Sequence, residues 1–222
     1  MTPFSDILDR AAARNGGVEA VEAQLSKPKD EAALRAMSDD RYLSRMCLRA
    51  FRAGLKHSLV DARWPAFEDV FHGFDPYRIR AMPDEALEAL MGERRIIRHW
   101  GKIKAVRDNA AALIAVSEAR GGFGVYIAAW PGDDVMGLWR DLGRRFSQMG
   151  GNSAAYFLRM VGRDTFLLTG DVITALIEAG VIDKKPTTKD ARAAVAGAFN
   201  AWAAESGRPL CQISKILALT TA

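Results

Sequence analysis

Apolar side chains recur three and four residues apart along most of the chain, which is the period of an amphipathic helix. The stretch "DEAALRAMSDDRYLSRMCLRAFRAGL" (30–55) reads as one or two such helices. After Pro83, "DEALEALMG" carries acids in its first turn and stops at Gly92, so it is a short capped helix. Helical spacing then runs from Arg95 to Arg120 and ends at Gly121 and Gly122. Asp133 is placed to cap a helix through Arg145, and Asn152 to cap another through Met160. "TTKDARAAVAGAFNAWAAESG" is alanine-rich, starts on a capping threonine and ends on Gly207, and "LCQISKILAL" forms a last short helix. The only strand-like run, "TFLLT", lies between helices and reads as an extended connector. The pattern predicts an all-α protein, a single domain over 1–222. Within it, two lobes are expected at about 40–125 and 126–222, with residues 1–39 packing on either. The break between them falls in "GGFGVYIAAWPGDD" (121–134).

Composition adds limits. A chain of 222 residues can hold one large domain or two lobes sharing a cleft. A net charge of +4 permits a polyanionic partner without demanding one. Cys47 and Cys211 stand alone, so neither a disulfide framework nor a Cys/His zinc set can be built; no metal or cofactor is expected. The first residues, "MTPFSDILDRAAARNGG", carry charges where a signal peptide has its apolar core. No apolar run reaches membrane-spanning length, so no membrane partner is expected and the cytoplasm is the expected location.

One stretch asks for chemistry: "MGGNSAAYFLRMVGRDTFLLTGDV" (149–172). Gly150 and Gly151 can take positive φ, and they leave backbone N–H groups uncovered at the start of the helix that follows. Such a turn can bind an anion and, on DNA, one phosphate, with Asn152, Arg144 and Arg145 adding contacts. Taken alone, the glycines fit a plain helix–helix turn better, because such turns commonly carry glycine. Asp171 follows the extended link and stands directly before "VITALIEAG", where it could be a helix N-cap. The order helix, glycine hairpin, helix, short link, aspartate resembles the helix-hairpin-helix superfamily of DNA glycosylases. In that superfamily the link delivers a catalytic carboxylate to a cleft between two helical lobes, and Asp171 is the matching position.

A second resemblance is narrower. "LRAFRAGLKHSLVDARWPAFEDVFHGFDPYRI" (48–79) and "IIRHWGKIKAVRDNAAALI" (96–114) resemble the constitutive bacterial 3-methyladenine DNA glycosylases, and "MGGNSAAYFLRMVG" fits in register. The likeness covers roughly residues 39–162 and implies a two-lobed helical bundle. It also implies a monofunctional glycosylase of base excision repair acting on alkylated or otherwise damaged bases in double-stranded DNA. No obligate protein partner is evident. The departures are informative. Arg49 stands where the family holds the damaged base with a glutamate, and His57 replaces the aromatic that stacks on it. The family's early tyrosine-bearing motif and its structural zinc have no counterpart here. That family also lacks the superfamily's aspartate, which Asp171 restores.

The resemblance assigns further roles. Leu55 matches the family's wedge position, although a helix-end leucine can equally be core. Arg49, His57 and Trp64 are the candidates for the base pocket, Trp64 because a base needs an aromatic platform and it lies beside the cleft-forming segment. Asn152 stands where lyase members of the superfamily carry a Schiff-base lysine, and no lysine lies between Lys104 and Lys184, so hydrolysis without strand nicking is expected. "RRIIRHWGKIKAVR" (94–107) has six Lys/Arg and no acid, and reads as either a phosphate-tracking face or a solvated helix. A non-catalytic helix-hairpin-helix DNA-binding protein is the alternative reading, favoured by Arg49.

Overall fold

The computed structural model describes residues 1–221, and among them fourteen α-helices and no strand. In chain order the helices are α1 (Phe4–Asn15), α2 (Val18–Glu22), α3 (Glu31–Ala36), α4 (Asp39–Arg52), α5 (His57–Val70), α6 (Pro76–Arg80) and α7 (Asp84–Ala89). There follow α8 (Trp100–Arg120), α9 (Phe123–Ala129), α10 (Val135–Arg145), α11 (Ser153–Val161), α12 (Gly170–Glu178), α13 (Lys189–Ser206) and α14 (Leu210–Leu219). The expected ends at Gly121 and Gly207 are left-handed C-caps, and Thr188 caps α13 as its position predicted. "TFLLT" is an extended connector. No single helix among the described residues is long and apolar enough to cross a membrane.

The chain forms two compact units that are discontinuous in sequence: residues 1–29, 131–136 and 164–222 make one, and 30–130 with 137–163 the other. Consecutive lobes at 40–125 and 126–222 are therefore not the division observed, and residues 1–29 belong with the C-terminal helices. The reason lies in contacts far apart in sequence. Trp202 Nε1 donates to the Thr2 carbonyl at 3.0 Å, and Asn15 Nδ2 to the Leu219 carbonyl at 2.9 Å. In this unit Phe166 stacks on Phe199 at 4.0 Å, and both carboxylate oxygens of Asp164 accept from the first amides of α14, at Leu210 and Cys211. Capping by a carboxylate at a helix start satisfies amides that have no helical partner.

The second unit is built around α8, the longest helix. α4 packs on α8 and α11, and α3 on α9. Gly124 permits the last contact: a Cβ there would stand 2.5 Å from the Leu34 carbonyl oxygen. Asp75 accepts from the amides of Tyr77 and Arg78, Pro76 occupies the first turn of α6, and Phe74 is buried, so "FDP" is a helix start with an apolar anchor. Phe51, Trp64, Phe67, Phe71 and Phe74 form one aromatic cluster. Cys47 is buried in this unit, as Cys211 is in the other.

The hairpin between α10 and α11 is held from α8. Asn109, 1% exposed, accepts from the Ser147 amide at 2.7 Å and donates to the Ser147 carbonyl at 3.1 Å. Gly143 lets the returning chain close: a Cβ there would meet the Met149 carbonyl oxygen at 3.3 Å.

Three substitutions test this packing. Gly124→Ala is expected to lower stability by about 1–3 kcal/mol in denaturant unfolding, because a backbone oxygen cannot yield to the added methyl. Gly197→Ala, in α13 with open space around it, is expected to be neutral or stabilising by up to about 1 kcal/mol. Asn109→Ala removes both Ser147 bonds from a buried site and is expected to cost about 1–3 kcal/mol. It should also speed amide exchange from Ser147 to Gly151 ahead of global unfolding, and an unchanged exchange rate there would deny the clamp its role.

Candidate functional site

Gly150, Gly151 and Asn152 are exposed at the tip of the hairpin, and Met149 beside them is buried. The left-handed positions of the turn are Gln148 (φ 65°) and Gly151 (φ 59°), not the two glycines. Gly150 does not need its freedom for φ. Its value is open space: nothing lies within 4 Å of where a Cβ would be. A non-glycine residue in the left-handed region costs about 1–2 kcal/mol, which the clamp on the adjacent Ser147 offsets. Asn152 occupies the N-cap position of α11 without a side-chain cap bond. The bend therefore presents bare, exposed backbone at 150–152 just before α11, whose Ser153 amide donates to the Gly150 carbonyl at 3.1 Å; exposed backbone ahead of a helix start is an arrangement suited to an anion.

Arg145 and Arg144 do not project freely from this turn. Both reach back to Asp141, at 2.6 Å each, and the Tyr126 hydroxyl donates to the same carboxylate at 2.9 Å. Burial pushes the Asp141 carboxyl up, but the bonds from Arg145, Tyr126 and Arg144 outweigh it and hold it below the ordinary carboxylate range. Arg145 is a partner of Asp141 first, with 42% of its side chain left exposed.

Leu55 lies in the turn between α4 and α5, 37% exposed, beside Gly54 at φ 77°. It is not a core leucine. Leu59, one helical turn into α5, is 47% exposed, and His57 between them is exposed too. The α4–α5 corner thus presents two apolar side chains and a histidine to solvent.

Trp64 is half-buried. Its ring stacks on Phe67 and Phe74, at 4.9 and 5.3 Å, and its Nε1 donates to Ser44, which donates to Glu68. These contacts make it part of the aromatic core, and the expectation of a free stacking platform gives way to a structural role. Arg49 is half-buried on α4 with its guanidinium over the ring of Tyr156 on α11, 4.5 Å from the centroid. In the sequence Tyr156 is only one of several aromatics available to stack on a base, and one tyrosine on a helix carries no signal that it pairs with Arg49.

The basic run 94–107 is likewise divided. Lys102 is buried and donates to the Phe51 and Ala53 carbonyls, closing the C-terminus of α4; burial and Arg49 draw its ammonium pKa down. Arg95 pairs with Asp69 and Glu93, and Arg107 with Asp84 and the Met82 carbonyl. Arg94, Arg98 and Lys104 remain exposed, so a continuous phosphate-tracking face is not present. α8 starts at Trp100 rather than Arg95, with His99 as its N-cap accepting from Lys102 N.

Asp171 belongs to the first unit. It is exposed in the first turn of α12, and the cap of that helix is Thr169, whose hydroxyl accepts from Val172 N at 3.3 Å. The carboxylate is thus not used as the N-cap. Among the described residues no group of three or more His, Cys, Asp and Glu is arranged to hold a metal ion.

Comparison with known proteins agrees with this architecture. The methyladenine glycosylase family model matches residues 30–150, more than half of the chain. The DNA-3-methyladenine glycosylase 1 of Escherichia coli is 37% identical over 82 residues, which are 36% of this chain and 44% of that protein. The chain thus aligns with less than half the length of that curated relative. A crystal structure of 3-methyladenine DNA glycosylase I superposes with a TM-score of 0.50 at 26% identity, covering 69% of this chain and 91% of the other. The 8-oxoguanine DNA glycosylase of Methanocaldococcus jannaschii superposes with a TM-score of 0.56 over 95% of this chain and 91% of its own, at 13% identity, and shares the fold. The matched segment contains α3 to α10, Asn109 and the start of the hairpin; this chain belongs to the methyladenine glycosylase family.

Proposed function

We propose that this chain is a monofunctional DNA glycosylase of base excision repair, active in the cytoplasm on double-stranded DNA with a damaged base. It would turn a damaged nucleotide out of the duplex and hydrolyse its N-glycosidic bond. The observation that carries the reading is the clamped, exposed bend at 150–152 within a methyladenine glycosylase sequence. Amides at such a bend grip a phosphate without reading sequence. The exposed Leu55 suits the gap that an everted nucleotide leaves in the stack. Flipping costs a few kcal/mol, less at a damaged base. The relatives named for 3-methyladenine make alkylated purines the first substrates to test.

Departure of the base builds positive charge on the sugar, and a fixed carboxylate stabilises it. Asp171 is the proposed carboxylate, since α12 does not spend it as a cap. Asn152 in place of a lysine supports hydrolysis without strand nicking. His57 and Arg49 are the proposed contacts to the base, and Gly150, Gly151 and Asn152 to the phosphate, with Arg145 secondary because of its pair with Asp141. Arg49 in place of the family's glutamate also supports a second reading, a DNA-binding module without catalysis.

Methylated duplex DNA incubated with the protein is expected to release free base, identified by mass spectrometry. Asp171→Asn should slow release by roughly 10²–10³-fold while duplex affinity holds; unchanged turnover would remove Asp171 from the chemistry. Gly150→Asp fits the open space at that position and is expected to weaken duplex binding and flatten its salt dependence. Salt-sensitive binding with no release from a broad lesion panel would establish the non-catalytic reading instead.

A further inference from the structure

Arg49 is a half-buried cation on α4, with its guanidinium over the ring of Tyr156 on α11. Its Nε is buried and has no hydrogen-bond partner. Among the described residues no carboxylate faces it: the charged or titratable groups acting on it are Tyr156 and Arg52, and it acts in turn on Lys102. Both neighbouring cations are committed. Arg52 pairs with Asp61 at 2.7 Å, and Lys102 donates to the Ala53 carbonyl at 2.7 Å. Burial draws the Arg49 pKa down, yet a guanidinium stays charged at any physiological pH. The result is a half-buried positive charge stacked on an aromatic ring. It lies on the last turns of the helix that leads into the exposed Leu55 corner.

A buried donor without an acceptor costs about 1–3 kcal/mol, and an acceptor arriving from outside recovers that cost. Arginine offers donors only, in a planar fork that matches two adjacent acceptors such as O6 and N7 of a purine. Stacking on Tyr156 fixes the plane of the fork. The same charge repels a cation, and two further cations reinforce it. A methylated purine of the 3-methyladenine kind carries positive charge on the base and offers no carbonyl.

We propose that the Arg49–Tyr156 pair reads the everted base and selects neutral, carbonyl-bearing damaged bases, such as deaminated adenine, over cationic N-alkylated purines. This rests on the glycosylase reading above and names the substrate class of its base pocket. The Arg49 fork donates to the base carbonyl and its neighbouring ring nitrogen, and Tyr156 holds the fork in place.

The test uses the full chain and two readouts. Release of hypoxanthine from a duplex with one deoxyinosine is compared with release of 3-methyladenine from methylated DNA. Wild type is expected to favour hypoxanthine by at least about tenfold, Arg49→Gln to erase that preference, and Arg49→Glu to reverse it. Preferred release of 3-methyladenine, unmoved by Arg49→Gln, would overturn the proposal while leaving the glycosylase reading intact. The second readout is the Arg49 Nε–H resonance of isotope-labelled protein on addition of the deoxyinosine duplex or the same duplex with adenine. A shift with hypoxanthine alone supports base reading even where no base is released, in which case only the hydrolytic reading has failed. Equal shifts with both duplexes, which mean a phosphate contact, or no shift with either, overturn it. Arg49→Gln is expected to fold with unchanged or raised thermal stability, since it removes an unpaired, half-buried charge.

Discussion

Two hydrogen bonds between Asn109 and the backbone of Ser147 tie the hairpin to the longest helix of its unit. Much else follows from them. They fix the chain just before Gln148 enters the left-handed region, and they leave Gly150 to Asn152 exposed rather than packed. A side-chain amide suits this work because it donates and accepts at once, matching both groups of one peptide residue. Gly143 supplies the room for the returning chain. Neither residue touches what the turn is proposed to hold. Together they set where its amides point.

Much of the fold was legible because helices announce themselves locally. Apolar spacing, Thr188, Gly121 and Gly207 placed α13 and the C-terminal end of α8, while α8 begins at Trp100 rather than Arg95. What local pattern could not show was pairing over distance. The bonds from Trp202 to Thr2 and from Asn15 to Leu219 unite the two ends of the chain, and no periodicity encodes them. Caps were ambiguous for a related reason. Asp171, directly before an apolar run, reads as a cap, and only the backbone shows that the Thr169 hydroxyl meets Val172 N instead.

The candidate site was legible in its backbone and less so in its charges. Glycines marked the turn, and the match to the family's wedge position marked Leu55. Charge counts misled, because a basic run does not reveal which members have partners. Lys102 closes a helix end, Arg95, Arg107 and Arg145 meet acids, and Arg49 alone among these is left with an unmet buried donor. The aromatic count misled likewise. Trp64 was the tryptophan nearest the expected pocket, yet its ring is engaged by Phe67 and Phe74, while Tyr156 meets the arginine. A member of the methyladenine glycosylase family with an arginine at this place keeps the family's helical framework around a different charge.

The proposed grip on nucleic acid comes from the backbone of a clamped, exposed bend. Amide hydrogen exchange of Gly150, Gly151 and Asn152, measured with and without a short duplex at low salt, tests it most directly. The account expects protection of these amides on binding, lost on raising the salt and lost in Asn109→Ala. Tight duplex binding with exchange at the bend unchanged would contradict it.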